Sequence, residues 1–323
     1  MTAPLSVLIL TMNEERNIVA CLDSVAGWAD DIVAVDSGSV DRTLALCAER
    51  NVRTVFHPYT DHRSQIQWAL TTIPWQHDWL LLLDADNIVT PPLKHEIEQQ
   101  LRQDTGRVHG FYSPHHHYFR NRRVRGLKTR WLRLIRRSHV RVDNSELVDF
   151  RLVVDGPTGT LSGAIVESNR NELDIDFWID KHQKFARRIA MEEILRAKNV
   201  LAWSDDLRPR LLGNTDERMI LLKNVWYRMP LYVRPVLFFL YRYLLRLGFL
   251  DGWNGLVFHG FQAFWFRLLV DVHIAEYRRQ LERNEVSLEE LLRMAGGAPL
   301  HGGTAQPAIP LHRDRSAQGA PHE

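Results

Sequence analysis

An alternation of short apolar runs and helical patterns over the first 105 residues constrains the fold more than any other feature of this sequence. The apolar runs, each typical of a strand buried on both faces, lie at 5–13, 31–36, 52–58 and 79–87. Apolar residues at helical spacing predict helices at 14–28, 42–51, 62–73 and 91–103. Strands that alternate with helices form βαβ units around a parallel sheet. The sequence therefore predicts an α/β fold with a mostly parallel sheet.

Three of the predicted strands end in polar residues, in the stretches "TMNEE", "VDSGS" and "LDADN". Ligands of open parallel sheets bind beyond the carboxyl ends of the strands. The apolar half of each run buries the strand, and we expect the polar half of all three to line one crevice.

The stretch "LLLLDADN" places the carboxylates of Asp84 and Asp86 one residue apart at the end of a buried strand. Alternate side chains of an extended segment share a side. Two carboxylates in one site repel each other unless a cation neutralises them, and oxygen ligands suit Mg²⁺ or Mn²⁺. The alternative is a solvated turn with two incidental acids. The strand before the pair and the polar strand ends beside it favour a divalent metal that holds a diphosphate.

Further polar residues near the same crevice each have two possible roles. Asp36 could accept hydrogen bonds from a base or a ribose, or it could cap its own loop. Glu14, beside Asn13, could line the crevice or act as a first-turn helix acid. Arg63 and Gln67, one helical turn apart, could reach the crevice or lie on the surface.

The pattern changes after residue 105, and we predict four regions: 1–105, 106–200, 201–295 and 296–323. The second region mixes strand-like aromatic residues, turn signals and a long amphipathic helix at 174–199. The third is helical, aromatic and basic, and the tail from Gly296 is rich in Gly, Pro, Ala and His, which predicts disorder.

Bulk properties limit the class of protein. The formal net charge of +2 excludes a polycation, and Cys21 and Cys47, the only cysteines, have neither metal nor redox spacing. They fit two buried thiols in a reducing compartment. The N-terminus has a short apolar run without a basic region before it, which indicates a first strand rather than a signal peptide. We therefore expect a cytoplasmic location.

Two basic segments indicate the partners. Nine of the eighteen residues at 120–137 are Lys or Arg. A solvated basic face, an anionic acceptor, anionic lipid and nucleic acid are all possible, but the chain contains no recognised nucleic-acid motif. The segment 227–270 combines Phe, Tyr, Trp and Leu with regularly placed Arg, which is typical of helices lying in a membrane interface. The alternative is a helical core packed on the first domain.

The motifs "SVLILTMNEERNIVACLDSV", "DDIVAVDSGSVDRT" and "WLLLLDADNIVTPPL" resemble glycosyltransferase family 2, whose members have the Rossmann-like GT-A nucleotide-diphosphosugar transferase fold. The stretches "WIDKHQKFARRIAMEE" and "RYLLRLGFLDGWNGLVFHGF" are similar to bacterial lipopolysaccharide-core and exopolysaccharide enzymes of that family. The resemblance extends from residue 5 to about 280. It implies an inverting, metal-dependent transfer from a nucleotide-sugar, with a UDP-sugar as the expected donor, to a lipid-linked saccharide. Combined with the segment 227–270, which reads as an amphipathic helical C-terminal extension, it predicts a peripheral enzyme at the cytoplasmic face of a bacterial inner membrane.

The resemblance also assigns roles to residues. The positions that match its nucleotide-binding residues are Thr11, Asn13, Glu14 and Asp36, and those that match its metal-diphosphate motif are Asp84, Ala85 and Asp86. The family needs a carboxylate base on the acceptor side, where relatives often show "HE" before a "VDG"-like turn. This chain has "SELVDFRLVVDG", so Asp149, one residue off register, is the first candidate and Glu146 the second. The stretch "IVESN" is also unusual, since relatives often carry a His near it.

Two other functions fit parts of the sequence. A sugar-phosphate nucleotidyltransferase would be expected to carry a glycine-rich phosphate loop near its N-terminus, and "TMNEERN" has no glycine. A catalytically inactive scaffold at the membrane would keep the fold without the base, and the off-register Asp149 leaves that possibility open.

Overall fold

The computed structural model describes residues 2–143, 145–148, 150–204 and 206–296, and the predicted tail at 296–323 therefore lies almost wholly outside the described residues. The strands are β1 Ala3–Thr11, β2 Ala29–Asp36, β3 Arg53–Phe56, β4 Trp79–Asp84, β5 Asn87–Val89, β6 Gly110–Phe119, β7 Arg122–Arg123, β8 Thr129–Arg136, β9 Val140–Asp143, β10 Arg151–Val154, β11 Thr158–Thr160 and β12 Ile165–Glu167. The α-helices are α1 Ile18–Val25, α2 Thr43–Ala48, α3 His62–Thr72, α4 Pro91–Arg102, α5 Ile175–Ala197, α6 Thr215–Arg228, α7 Val233–Leu240, α8 Gly252–His259, α9 Phe266–Glu282 and α10 Leu288–Met294.

One large sheet organises the N-terminal half, in the order β3-β2-β1-β4-β8-β6-β12-β5. Strands β3, β2, β1 and β4 are mutually parallel, β8 runs antiparallel to both β4 and β6, and β12 is parallel to β6. This arrangement confirms the predicted α/β fold with a mostly parallel sheet and a helical C-terminal region. A separate two-stranded sheet, β9–β10, lies beside it.

The apolar strands are buried because they have core on both faces. Ile9 and Leu83 belong to the apolar cluster that includes the α1 and α4 side chains, whereas Leu8 and Leu82 belong to the cluster that includes α3. Successive residues of one strand point to opposite faces, so a strand covered on both sides needs an unbroken apolar run. The run of leucines at 80–83 is therefore explained by burial alone.

The strand predicted at 79–87 ends earlier, at Asp84, and a turn separates it from β5. In that turn the backbone N–H of Asp84 bonds the side-chain oxygen of Asn87 over 3.3 Å. Strand β5 then pairs antiparallel with β12, so that Asn87 lies opposite Glu167. This pairing carries the end of β12 next to the Asp84–Asn87 turn, a proximity that the sequence pattern does not predict.

Strand β8 contains one residue more than its partner β6 allows. Phe111 pairs with Leu134 and Tyr112 pairs with Leu132, which leaves Arg133 as an extra residue in a β-bulge. The bulge reverses the alternation of side chains between the two faces of the sheet. Leu132 and Leu134 are two positions apart, and yet they lie in apolar clusters on opposite sides of the sheet. The bulge thus re-aims Arg133 toward the end of β4.

The C-terminal helices form a third apolar cluster with α5. It contains Ala190 and Ile194 of α5, Val270 and Ile274 of α9, and Leu291 of α10. Packing of α9 and α10 on α5 crosses the boundary placed at residue 200. No helix within the described residues has both the length and the apolarity needed to cross a bilayer.

Both cysteines are buried and unpaired, which confirms the prediction for Cys21 and Cys47. The Cys21 thiol lies beneath the acidic turn, 3.6 Å from the backbone oxygen of Asp84. Burial raises the pKa of this thiol, and the negative charges of Asp86 and Asp84 raise it further.

Candidate functional site

A cavity of about 470 Å³ opens at the carboxyl ends of β1 and β4. Strand pairing brings the polar strand ends together, since Leu10 lies opposite Asp84 and Thr11 lies opposite Asp36. Residues from many parts of the chain line the cavity, among them Thr11, Glu14, Ser37, Tyr59, His62, Gln65, Asp84, Ala85, Asp86, His117, Arg133, Phe150, Glu167, Asn169 and Lys181. The predicted crevice at this edge of the sheet is therefore present.

The two aspartates of the turn have different environments. The guanidinium of Arg133 donates to the Asp84 carboxylate over 2.9 Å, and His62 Nε2 lies 3.6 Å from its other oxygen. Burial by itself would raise the pKa of the Asp84 carboxyl, but the charges of Arg133 and His62 and the hydrogen bond from Arg133 together lower this pKa. Asp84 is thus an ionised group with its own counter-charge.

Asp86 lacks such a partner in the described residues. Its carboxylate accepts a bond of 2.8 Å from the amide of its neighbour Asn87. Burial, followed by the negative charges of Glu167 and Asp84, raises the pKa of the Asp86 carboxyl well above its ordinary value, and Lys181 only partly offsets this effect. Within this turn, a bound cation would therefore be stabilised most strongly beside the carboxylate of Asp86.

Glu167 and Lys181 are cavity residues that the sequence patterns did not identify. A carboxylate oxygen of Glu167 lies 3.2 Å from His117 Nδ1, and Lys181 of α5 donates to Glu172 over 2.7 Å. Burial by itself would lower the pKa of Lys181, but Glu172 first, and then Asp86 and Glu167, together raise it. The only available signal was the unusual "IVESN" stretch, which contains Glu167.

The acids of the cavity fit a divalent cation in one restricted way. No group of three or more His, Cys, Asp or Glu side chains in the described residues is arranged to hold a metal ion. Mg²⁺ and similar ions often bind one or two carboxylates and take their remaining ligands from water and substrate phosphates. The uncompensated carboxylate of Asp86 suits that mode, whereas Asp84 is already bound to Arg133.

The residues predicted to bind the nucleotide divide into two pairs. Thr11 and Glu14 line the cavity, whereas Asn13 and Asp36 do not. Asp36 accepts bonds from the backbone N–H groups of Gly38 and Ser39, over 2.8 and 2.9 Å, and the Asn13 side chain accepts from Val40 N–H over 2.9 Å. Both side chains therefore shape the loop after β2, which is the capping alternative considered for Asp36.

Helix α3 presents other residues than those predicted. His62 and Gln65 line the cavity in place of Arg63 and Gln67. Gln67 is exposed, because two positions along an α-helix are about 200° apart around its axis. Arg63 turns toward the acceptor-side segment instead and donates to the backbone oxygen of Glu146 over 3.0 Å.

Three polar atoms at the cavity are buried without a hydrogen-bond partner in the described residues. They are Thr11 Oγ1, His62 Nε2 and Arg133 Nε. Buried polar groups are normally bonded, and each exception calls for an explanation. A polar ligand in the cavity supplies one, since all three residues line it.

The two candidates for the catalytic base differ in how they relate to the cavity. Asp149 lies outside the described residues, although its neighbours Val148 and Phe150 both line the cavity. Glu146 is buried, does not line the cavity, and pairs with Arg151, Arg196 and Lys223. Burial would raise the pKa of Glu146, but these three cations together, Lys223 first, lower it to about 2. A carboxylate held in this way is a poor proton acceptor, and the structure disfavours Glu146 as the base.

We expect Glu146→Gln to lower stability more than activity. Loss of one partner from a buried ion cluster leaves its cations uncompensated, and we expect a cost of about 1–3 kcal/mol at pH 7. The folded-state pKa of Glu146 is lowered from 4.5 to about 2, so its stabilising effect is present above pH 4.5 and is lost as the pH falls toward 2. Urea unfolding should show a difference between variant and wild type at pH 7 that shrinks near pH 3. An equal difference at both pH values would contradict this assignment.

Comparisons with known proteins agree with the geometry. The family model for Glycosyl transferase family 2 matches residues 6–150. The lipopolysaccharide core biosynthesis glycosyltransferase LpsC of Rhizobium meliloti is 30% identical over 206 residues, which cover 60% of this chain and 73% of that protein. An uncharacterized glycosyltransferase of Rickettsia bellii is 33% identical over 98 residues, covering 30% of this chain and 33% of its own length. The match thus spans about a third of the Rickettsia relative.

Among solved structures, glucosyl-3-phosphoglycerate synthase from Mycobacterium tuberculosis is 23% identical with a TM-score of 0.30. The match covers 35% of this chain and 43% of that one. That enzyme was solved in complex with Mn²⁺, uridine diphosphate and phosphoglyceric acid.

Proposed function

This chain belongs to glycosyltransferase family 2, and on that basis we propose that it transfers a sugar, with inversion, from a nucleoside-diphosphate donor to a saccharide acceptor. The observation that carries the proposal is the acidic turn at the end of β4. It places Asp84, paired with Arg133, and Asp86, which lacks a compensating charge, in one cavity. A cavity with one uncompensated carboxylate beside two cationic side chains suits a diphosphate bound together with a divalent cation.

The donor would lie across the carboxyl ends of β1 and β4. Thr11, Ser37 and Tyr59 line the β1 side of the cavity, where their hydroxyl groups and the aromatic ring of Tyr59 would contact the nucleoside. Gln65 lines the same side and holds Ser37 in place, since its amide donates to Ser37 Oγ over 2.9 Å. Thr11 Oγ1 has no partner in the described residues, which leaves it available to such a ligand. We propose a UDP-sugar as the donor, in keeping with the size and polarity of this side.

Asp86 would hold Mg²⁺ or Mn²⁺, which when bound would help to stabilise the charge of the departing nucleoside diphosphate. Arg133 and Lys181 would act on the same charge. Arg133 is fixed by the β-bulge and by its bond to Asp84, and Lys181 is fixed by Glu172. Cations positioned in advance stabilise a developing charge without having to reorganise.

The acceptor side is held rigidly by α5. Glu192 accepts from the backbone N–H groups of Leu147 and Val148, over 3.0 and 3.3 Å, and Arg188 donates to the backbone oxygen of Leu147 over 3.1 Å. From the other side Arg63 donates to the backbone oxygen of Glu146. The chain directly before Asp149 is therefore clamped at the edge of the cavity. We propose that Asp149 removes the acceptor proton during one displacement at the anomeric carbon.

Asp149→Asn should keep donor binding and lose transfer. The amide preserves the shape of the side chain but cannot accept the proton, and general-base catalysis typically contributes at least about 10²-fold. Steady-state transfer and nucleotide affinity by calorimetry measure the two effects. Glu146→Gln is the matched control, and it should retain most of its activity per folded molecule. If Glu146→Gln loses transfer while Asp149→Asn keeps it, the base is misassigned.

We propose a lipid-linked saccharide of lipopolysaccharide-core or exopolysaccharide synthesis as the acceptor, at the cytoplasmic face of a bacterial inner membrane. The name of the Rhizobium meliloti relative supports the first of these processes. The apolar and basic residues on the C-terminal helices support a peripheral position at the membrane.

Purified protein should be screened against nucleotide-sugars by thermal shift, and each positive donor should then be assayed for hydrolysis and transfer with and without Mn²⁺. Stabilisation by one nucleotide-sugar and Mn²⁺-dependent release of its nucleoside diphosphate would support the proposed reaction. Binding with neither hydrolysis nor transfer would instead favour the inactive scaffold. Release of inorganic diphosphate from a sugar phosphate and a nucleoside triphosphate would favour the nucleotidyltransferase.

A further inference from the structure

Helix α7 and the π-helical turn that follows it, Tyr241–Leu245, have their polarity reversed. Arg234 and Arg242 are buried, whereas the valines and leucines of this segment face solvent. The exposed side chains recur at helical spacing, at Val233, Val236, Leu237, Leu240 and Leu244, each with 41% to 49% of its surface accessible. Helices of water-soluble proteins normally bury such a stripe. This one is turned outward.

The exposed apolar surface continues beyond the helix. Leu245 and Trp253 have 76% and 82% of their surface accessible, and Leu247, Phe249 and Leu250 between them are also exposed. We call the exposed apolar side chains between Val233 and Trp253 the apolar ridge. Exposed apolar patches of this kind mark protein or membrane interaction sites.

A second cavity, of about 640 Å³, opens beside the ridge. Six basic residues line it, namely Arg123, Arg125, Lys128, Arg130, Arg218 and Arg246, and no acid of the described residues does. Leu247 and Leu250 of the ridge line the same cavity. We call it the basic cavity. Its positive wall and the apolar ridge therefore form one continuous surface.

Most of the basic side chains that line this cavity have no ion-pair partner within the described residues. Of the basic run at 120–137, Arg133 pairs with Asp84 at the end of β4, and Arg136 pairs with Asp78 and Asp104. In contrast, Arg123, Lys128 and Arg130 of that run, and Arg218 of α6, form no ion pair within the described residues. Arg125 has a distant partner, 3.8 Å away in Asp251. Several like charges gathered without counter-charges predict an anionic ligand.

We propose that the basic cavity binds the phosphate groups of anionic phospholipids while the apolar ridge enters the membrane interface. Lipid is the partner that satisfies both halves of the surface at once, because its headgroup is anionic and its chains are apolar. Nucleic acid would satisfy the charges but would leave the exposed leucines and Trp253 in contact with water. The inference concerns a surface outside the donor cavity and stands independently of the proposed transfer.

Vesicle sedimentation of the full-length chain, without donor or acceptor, tests the inference. Binding should be much tighter to vesicles containing phosphatidylglycerol than to phosphatidylcholine alone, and the difference should decrease at high salt. The variant Lys128→Gln with Arg130→Gln should bind anionic vesicles at least about tenfold more weakly, since each basic residue near such a surface contributes roughly fivefold. The matched control, Arg278→Gln with Arg279→Gln, removes two exposed charges from α9 and should bind like the wild type.

A second variant tests the ridge. Leu245→Ser with Trp253→Ser should reduce binding to both kinds of vesicle by about tenfold, because both side chains lose apolar burial in the interface. Leu212→Ser is the matched control for an exposed leucine elsewhere in the chain. Circular dichroism should show an unchanged fold in all variants, since every substituted residue is exposed.

Three results would overturn the inference. The first is equal binding to neutral and anionic vesicles. The second is binding that neither the cavity variant nor the ridge variant weakens relative to its control. The third is binding to a single-stranded RNA, or to inorganic phosphate alone, that depends on Lys128 and Arg130 while vesicle binding does not.

Discussion

Asp86→Asn should lower sugar transfer about 10³-fold while the protein remains folded. A bound metal contributes several kcal/mol to the stabilisation of a departing phosphate group, and each 1.36 kcal/mol corresponds to a factor of ten in rate. Asp86 is the cavity carboxylate whose charge its surroundings leave uncompensated, and burial with Glu167 and Asp84 raises its pKa. Because the amide removes this repulsion, we expect no loss of stability.

The measurement pairs a transfer assay with melting curves. Wild-type protein should melt at a higher temperature with Mn²⁺ and UDP, because a ligand that binds only the folded state stabilises it. The variant should show a much smaller shift. Asp180→Asn, which removes an exposed acid of α5 next to Lys181 in sequence, is the matched control and should behave like the wild type. Full activity of Asp86→Asn with an unchanged Mn²⁺ requirement would place the cation elsewhere.

Arg234→Ala should lower the free energy of unfolding by about 3–5 kcal/mol, the usual cost of leaving buried partners of an ion pair without their counter-charge. Arg234 is fully buried and donates to Asp271 over 2.8 Å and to both oxygens of Glu193 over 2.8 and 3.0 Å. These bonds connect α7 to α5 and α9. Without the arginine, two carboxylates would remain inside the helical core.

The loss of stability in Arg234→Ala should also depend on pH in a defined direction. Burial already raises the pKa of Glu193, and Arg234 opposes that shift. A carboxyl whose pKa is raised in the folded state loses stability as the pH rises through that pKa. The deficit of Arg234→Ala should therefore be larger at pH 8 than at pH 5, as measured by urea unfolding. Arg228→Ala, at an exposed arginine of α6, should change stability by less than about 0.5 kcal/mol. A deficit of that size for Arg234→Ala would show that the buried pairs contribute little.

Local sequence patterns were sufficient to predict those features of the structure that are determined by residues close together in the sequence. Each N-terminal strand and helix was predicted because burial on both faces requires an apolar run, and the ends of β1 and β4 were placed in one cavity by the rule for parallel sheets. Asp84 and Asp86 follow directly from the end of β4. The side of helix α3 was misjudged, since Gln65 rather than Gln67 reaches the cavity. Asn13 and Asp36 were misjudged as well, because both side chains bond the loop after β2 instead of lining the cavity.

The other cavity residues depend on pairings between distant segments. Glu167 is brought there by the antiparallel pairing of β12 with β5, and Lys181 by the direction of α5. No periodicity in a single segment contains that information. The basic run at 120–137 shows the same difficulty, because its composition cannot separate Arg133, which faces Asp84, from Lys128 and Arg130, which line the basic cavity.

The β-bulge in β8 also limits how this part of the chain can change over evolution. Substitutions at the leucines that flank Arg133 leave the strand pairing in place. Loss of a single residue between Thr129 and Arg136, however, would abolish either the bulge or the alternation of faces on one side of it. Either change would turn the arginine away from the carboxylate of Asp84. Homologous sequences that retain the Asp84–Arg133 pair should therefore align across β8 without gaps, however far their leucines diverge.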